Sequence, residues 1–190
     1  QYEETKQYYY DYPSMIQTIK DTATTHGFKG EYFADEMSWR TAINPHPDEI
    51  GIYTEIVAAK YYARGIMINL GLDAWAGIGG ELYYEIPPIV NVVQNLSVTM
   101  AGVKPESLPL TIQSEAKNIA DYTFSLNNES YLVTLWTDGI AIDDDSGVLT
   151  TLVISGFADW NASAIDVLHN FEQPLITSNE NGNLIISDLL

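Results

Sequence analysis

Residues 52–78 read IYTEIVAAKYYARGIMINLGLDAWAGI, and this stretch decides the fold class. Ile52, Ile56, Ala59, Ala63, Ile66 and Leu70 recur at steps of four and three, the spacing that lines one face of an α-helix. Gly71 ends the pattern. Leu72 to Ile78 is then a short apolar run with the length of a buried strand.

The same alternation extends both ways. Gln1 to Asp11 is rich in Tyr and Glu and irregular. Pro13 fits the first turn of a helix, Met15, Ile16, Ile19 and Ala23 mark its apolar stripe, and Gly27 sits where a C-terminal cap belongs. Phe28 to Ala34, short and aromatic, reads as a strand, and a loop with Asn44, Pro45, Pro47 and Asp48 follows. Downstream, Gly79 and Gly80 break the second strand. Pro87-Pro88 opens a third helix through Ile89, Val92, Val93, Leu96 and Met100, with Gly102 as its cap. Strands alternating with helices imply parallel βα units. Two strands do not make a stable parallel sheet by themselves, so the expectation is that further strands are encoded outside this sequence.

After Pro105 the period changes to two. Leu108 to Ile112, Tyr122 to Leu126, Tyr131 to Trp136, Val148 to Ile154 and Ile165 to Leu168 are short β-rich runs. They are separated by turn signals at Asn127-Asn128, Asp138-Gly139, Asp143 to Gly147 and Asn181-Gly182-Asn183. This spacing predicts an antiparallel β-sandwich over residues 105–190, with the boundary near Lys104 to Pro109.

Composition narrows the function. With 46% apolar residues the chain can build a core. Lys and Arg total 8 against 26 Asp and Glu, a formal charge of −18 that repels phosphate backbones and anionic membrane surfaces. Neutral ligands such as sugars meet no such barrier. The absence of Cys excludes disulfides, zinc–thiolate sites and thiol nucleophiles. No apolar run reaches the ~18–20 residues of a membrane span. The start at Gln1 without Met points to a processed chain or a piece of a longer one. Glycosylation triplets begin at Asn95, Asn128 and Asn161, weak support for an extracellular location.

The segment Tyr32-Phe33-Ala34-Asp35-Glu36-Met37-Ser38-Trp39 runs from an aromatic strand into carboxylates and a Trp. A glutamate at a strand end can attack an anomeric carbon, and a Trp face can stack on a sugar ring. The plainer reading of an isolated Asp-Glu pair is a solvated or ion-paired carboxylate.

The stretch from Tyr12 to Gly102 resembles the last quarter of the retaining glycoside hydrolase (β/α)₈ barrels. Residues 26–39 resemble strand 7 with its nucleophile, residues 55–64 the helix after it, and Leu72-Asp73-Ala74-Trp75-Ala76 strand 8. Leu82-Tyr83-Tyr84 with Asn95-Leu96 resembles the approach to the last helix and that helix. The nearest likeness is to the β-xylosidase-like enzymes of glycoside hydrolase family 39, which also carry a β-sandwich beside the barrel.

The resemblance implies an α/β plus all-β chain: residues 1–104 as the C-terminal part of a TIM barrel, about strands 7 and 8, and residues 105–190 as a β-sandwich accessory domain. It implies Glu36 as catalytic nucleophile, with Trp39, Trp75 and Arg40 binding substrate. For Arg40 a plain surface role is an equal alternative. The acid/base partner, placed in these families at the end of strand 4, falls outside this chain, and Glu81 and Glu85 are in the wrong place for it. The expectation is therefore an extracellular glycosidase fragment, inactive alone, that needs no cofactor or metal. Its partners would be carbohydrate and the missing N-terminal part of the barrel, if that is a separate chain. The alternative is a non-catalytic extracellular carbohydrate-binding or cell-surface structural protein.

Other motifs read more plainly. Gly77 to Gly80 lacks the Lys-Ser/Thr of a phosphate loop and reads as a strand break. Asp143-Asp144-Asp145-Ser146-Gly147 lacks EF-hand spacing and reads as an acidic turn rather than a calcium site. His26, His46 and His169 lack metal-ligand spacing. Tyr8-Tyr9-Tyr10 and Trp136 read as packing residues, and Trp160 as an exposed turn residue.

Overall fold

The computed structural model of the 190-residue chain describes residues 2–42, 52–79, 83–127 and 130–190. The expected loop residues Asn44, Pro45, Pro47 and Asp48, together with His46, Glu81, Leu82 and Asn128, lie outside the described residues. Among the described residues the chain mixes helix and sheet, with three α-helices, several antiparallel sheets and no closed barrel.

Helix α1 spans Tyr2–Thr25, so Pro13 lies inside it rather than at its start. The first turns carry no apolar period, which hid them in the sequence. A proline removes one backbone bond without ending a helix whose neighbouring turns hold. Here a chain of hydroxyls donates back to carbonyls: Ser14 to Asp11, Thr18 to Ser14, Thr22 to Thr18 and Thr25 to Asp21, each at 2.8 Å. Gly27 follows with φ +85°, a left-handed cap.

Strand β1 is Phe33–Met37, later than the aromatic run at Phe28 implied. Phe28 is used to close α1: its N–H donates to the Ala23 carbonyl at 3.0 Å and its ring lies over Gly30.

Helix α2 is Glu55–Gly71. Thr54 caps it, its Oγ1 accepting the Val57 N–H at 3.2 Å. Ile52 lies outside the helix and is 55% exposed, a departure from the apolar stripe read in the sequence. The buried positions are not one stripe: Val57, Ala58, Tyr61, Tyr62, Met67 and Ile68 lie all round the helix. The cause is cover on more than one side, by strands β1 and β2 (Trp75–Ile78), by helix α3 (Pro87–Thr99) and by strand β5 (Ile119–Leu126). Gly71 has no positive φ. It is required because Tyr122 lies against it, with ring Cε1 2.5 Å from where a Cβ would stand. The left-handed residue is Asp73, φ +54°, and Lys20 Nζ caps the helix end through the Leu72 carbonyl at 2.6 Å.

β1 and β2 pair in parallel, joined through α2. Phe33 stands opposite Trp75, Ala34 opposite Ala76, and Met37 opposite Ile78, so Asp35 and Glu36 together face Gly77. This is a bulge in β1. Met37, Ala76 and Ile78 pack into the core against α2.

The remaining strands are β3 (Lys104–Pro105), β4 (Leu110–Ser114), β6 (Ser130–Thr137), β7 (Thr150–Ser155), β8 (Ser163–Asp166), β9 (Phe171–Pro174), β10 (Thr177–Glu180) and β11 (Asn183–Leu189). They form a sheet ordered β3-β5-β6, a sheet ordered β10-β11-β7-β4 and the hairpin β8-β9, all antiparallel. Alternation divides the first sheet's faces. Tyr122, Phe124, Leu132 and Trp136 pack on α2 and α3, whereas Val133 and Leu135 meet Leu152, Ile154, Leu184 and Ile186 of the second sheet. One buried cluster therefore runs from Ala58 to Phe124, on both sides of the expected boundary at Lys104 to Pro109. Asn181 and Gly182 both have positive φ, as a two-residue hairpin turn between β10 and β11 requires.

Candidate functional site

The site is built on the face of β1 and β2 that turns away from α2. Side chains alternate along a strand, so Trp75, Gly77 and Gly79 share that face, with Ile78 pointing into the core between the two glycines. On β1 it carries Phe33, Asp35 and Glu36, all exposed. The bulge is what places two carboxylates there in succession, because the extra residue keeps Ala34 and Met37 both turned inward.

Gly77 lies under the bulge. A Cβ there would overlap the Asp35 backbone carbonyl, so the close approach of the two strands depends on its bare Cα. Gly79 lies under Glu36: a Cβ there would overlap Glu36 Cγ and stand 3.0 Å from Oε1. Gly79 is itself held from two sides. Its N–H donates to the Met37 carbonyl at 2.8 Å, and the buried Tyr62 hydroxyl donates to its carbonyl at 3.3 Å. The Glu36 side chain thus lies across a flat, anchored stretch of backbone and opens to solvent.

At the other end of the face, Phe33 and Trp75 are cross-strand neighbours, 63% and 54% exposed. Because of the bulge the four steps from Phe33 to Met37 match three on β2, about 10 Å at about 3.3 Å per residue, so Glu36 stands less than about 10 Å along the strand from Phe33. Glu36 and Trp75 therefore share one face at opposite ends.

Trp39 goes elsewhere. Its half-buried ring stacks on Tyr61 at 6.1 Å, meets Tyr62 edge-on at 5.1 Å and fills the space over Gly65, where a Cβ would be 2.6 Å from its ring. It fastens the chain leaving β1 to α2. Arg40 follows, half-buried, its carbonyl accepting the Tyr53 N–H at 3.0 Å. Tyr32 serves packing: its hydroxyl donates to the Lys20 carbonyl at 3.2 Å and Lys20 Nζ lies 5.2 Å from its ring centre.

The other motifs have local roles. Thr54 Oγ1 donates to Asp143 Oδ1, and Lys60 Nζ donates to the Ile142 carbonyl at 2.6 Å, so the acidic turn docks on the start of α2. Among the described residues no three His, Asp or Glu side chains converge as metal ligands. His26 contacts the Thr22 carbonyl at 2.9 Å. His169 Nδ1 meets Asp166 at 2.7 Å. Burial pushes the Asp166 carboxyl up, but bonds from the His169 side chain and from the His169 and Leu168 N–H groups outweigh it and hold the carboxyl below its ordinary value. Trp136 stacks on Tyr122 at 5.9 Å, in the core. Trp160 is partly exposed beside Phe157 and Tyr131.

Phe33 and Tyr62 carry no signal of their own in the sequence, and Gly79 reads there only as a strand break. One signal was present: glycines at 77 and 79, two apart in a strand, mark a face where something approaches closely. Helix α1 is not apolar enough to cross a membrane, and no described helix is. No known family model matches the chain, and no curated protein matches it.

Proposed function

We propose that this chain is the C-terminal portion of an extracellular retaining glycoside hydrolase, similar to the β-xylosidase-like family 39 enzymes, with β1 and β2 as the last two staves of a (β/α)₈ barrel and residues 105–190 as its β-sandwich. The observation that carries the reading is the position of Glu36. It is exposed at the C-terminal end of a parallel strand in a β–α–β unit, on the face away from the helix, where barrel enzymes keep their chemistry.

In this reading the Glu36 carboxylate attacks the anomeric carbon as the glycosidic C–O bond breaks. A carboxylic acid from outside these 190 residues protonates the leaving oxygen, and water then hydrolyses the glycosyl ester. That acid must stand about 5–5.5 Å from Glu36. Trp75 supplies an apolar face for sugar, Arg40 a donor, and Trp39 holds the loop that follows the nucleophile. The net charge of −18 favours a neutral substrate.

The test is mechanism-based labelling of the natural full-length protein with 2-deoxy-2-fluoroglycosyl fluorides, followed by peptide mapping. An ester on Glu36 is expected. Labelling at another carboxylate, or none across a panel of sugars, overturns the assignment. A binding-only role is favoured by one feature, the exposed Phe33–Trp75 pair, and would appear as oligosaccharide binding without labelling.

A further inference from the structure

We infer that Gly79 is a positioning residue for Glu36: its missing side chain is the space the glutamate occupies, and its two backbone hydrogen bonds fix the height at which the carboxylate lies. The inference deepens the proposed function by naming what aims the nucleophile, and its geometry stands independently of the reaction.

The comparison with Gly77 isolates the effect. Gly77 lies in β2 and Gly79 one residue past its end, and both are overlapped by β1 where a Cβ would stand. At Gly77 the overlapping atom is the Asp35 carbonyl, a backbone group fixed by strand pairing. At Gly79 the overlapping atoms are Glu36 Cγ, Oε1 at 3.0 Å and Cδ at 3.1 Å, all in a flexible, exposed side chain. A methyl group at 77 must push strands apart, whereas one at 79 must turn Glu36 away. Gly79 cannot retreat to relieve the overlap. The Met37 carbonyl holds its N–H at 2.8 Å, and Tyr62, 2% exposed within the core, holds its carbonyl at 3.3 Å. Met37 adjoins Glu36 in the chain, so the floor is tied to the residue next to the glutamate.

The experiment is NMR on the natural protein. A nuclear Overhauser contact between Gly79 Hα and Glu36 Hγ is expected in the wild type. In Gly79→Ala the Glu36 Cδ resonance should move beyond its line width, while the amide spectrum of residues packed in the β3-β5-β6 sheet stays in place. Tyr62→Phe, which frees the Gly79 carbonyl, should move the same resonance less. In the active full-length enzyme, Gly79→Ala should lower kcat about 100-fold with KM little changed, the scale expected when a reacting group is misplaced by about 1 Å. Absence of the Overhauser contact, an unmoved Glu36 Cδ in Gly79→Ala, or loss of the fold in that variant overturns the inference. If the contact and the shift appear but fluoroglycosides fail to label Glu36, the hydrolase reading fails and the positioning stands.

Discussion

Arg64 Nη1 donates to the Gly139 carbonyl oxygen at 2.6 Å, across 75 residues of chain. Nη2 donates to the Thr137 carbonyl at 3.0 Å, and the guanidinium lies 5.5 Å from the Tyr61 ring centre. Arg64 is only 8% exposed, so these bonds form out of reach of bulk solvent and tie α2 to the end of β6. Removing the donors strands two carbonyls, a loss of about 1.5–3 kcal/mol for bonds to a charged group. Arg64→Met is expected to lower the urea midpoint accordingly with an unchanged m-value. Arg64→Lys should recover only part of the loss, because an ammonium lacks the planar fork. A midpoint equal to wild type in Arg64→Met would contradict the role.

Gly71 and Tyr122 make a second tie between the helical layer and the β3-β5-β6 sheet. The Tyr122 ring cannot move freely, since Trp136 stacks on it at 5.9 Å. Gly71→Ala is therefore expected to destabilise by about 1–3 kcal/mol despite the better helix propensity of alanine. In a double-mutant cycle with Tyr122→Ala, the two changes should be strongly non-additive, the alanine at 71 becoming harmless once the ring is gone. Additive effects in chemical denaturation would refute the contact.

The sequence made some of this architecture legible and hid the rest for physical reasons. α3 announces itself, because Pro87-Pro88 marks its start and Ile89, Val92 and Leu96 bury on one side. The strict alternation of β5 is equally plain, since Tyr122 and Phe124 pack toward the helices while the positions between them, Asp121, Thr123 and Ser125, are polar. β10 is silent: Thr177, Ser178, Asn179 and Glu180 form a polar edge strand held by backbone pairing to β11. In the candidate site, the carboxylate and Trp75 could be seen, because residue type alone raises them. The bulge at Asp35–Glu36 could not, since register is a property of two strands together. Nor could the fate of Trp39, which depends on whether Tyr61 and Tyr62 turn toward it.

Asp166 and Tyr122 set opposite pH edges. The folded Asp166 carboxyl lies below its unfolded value, so the unfolded chain binds more protons and stability rises with pH. Its contribution is complete above about pH 4, the ordinary Asp value, and fades as pH falls through the lowered one. Tyr122 is raised, first by burial and then by the charges of Asp138 and Asp121. Its contribution is complete below about pH 10 and is lost as pH climbs through the raised value. Asp166→Asn should flatten the acid limb of a stability–pH curve, and Tyr122→Phe the alkaline limb. Denaturant midpoints measured across both limits check each variant separately, and an unchanged limb in either variant would refute its assignment.

The strongest global expectation concerns salt. Twenty-six acidic residues against eight Lys and Arg leave a charge of −18, and the fold gathers these charges closer than the unfolded chain does. Self-repulsion of this kind is screened once the Debye length falls toward 10 Å, near 0.1 M salt. Attractive pairs that salt would weaken include Lys20–Asp73 at 3.6 Å, where Asp73 is 81% exposed and the pair contributes little. Repulsion should dominate, so Tm is expected to rise by about 2–4 °C, equivalent to about 1 kcal/mol, between about 20 mM and about 0.5 M NaCl. Replacing the exposed Glu115 and Glu180 with Lys should raise Tm at low salt and reduce that slope. Calorimetry at matched pH decides it: a Tm that falls with added salt would show that local ion pairs, and not the net charge, govern stability.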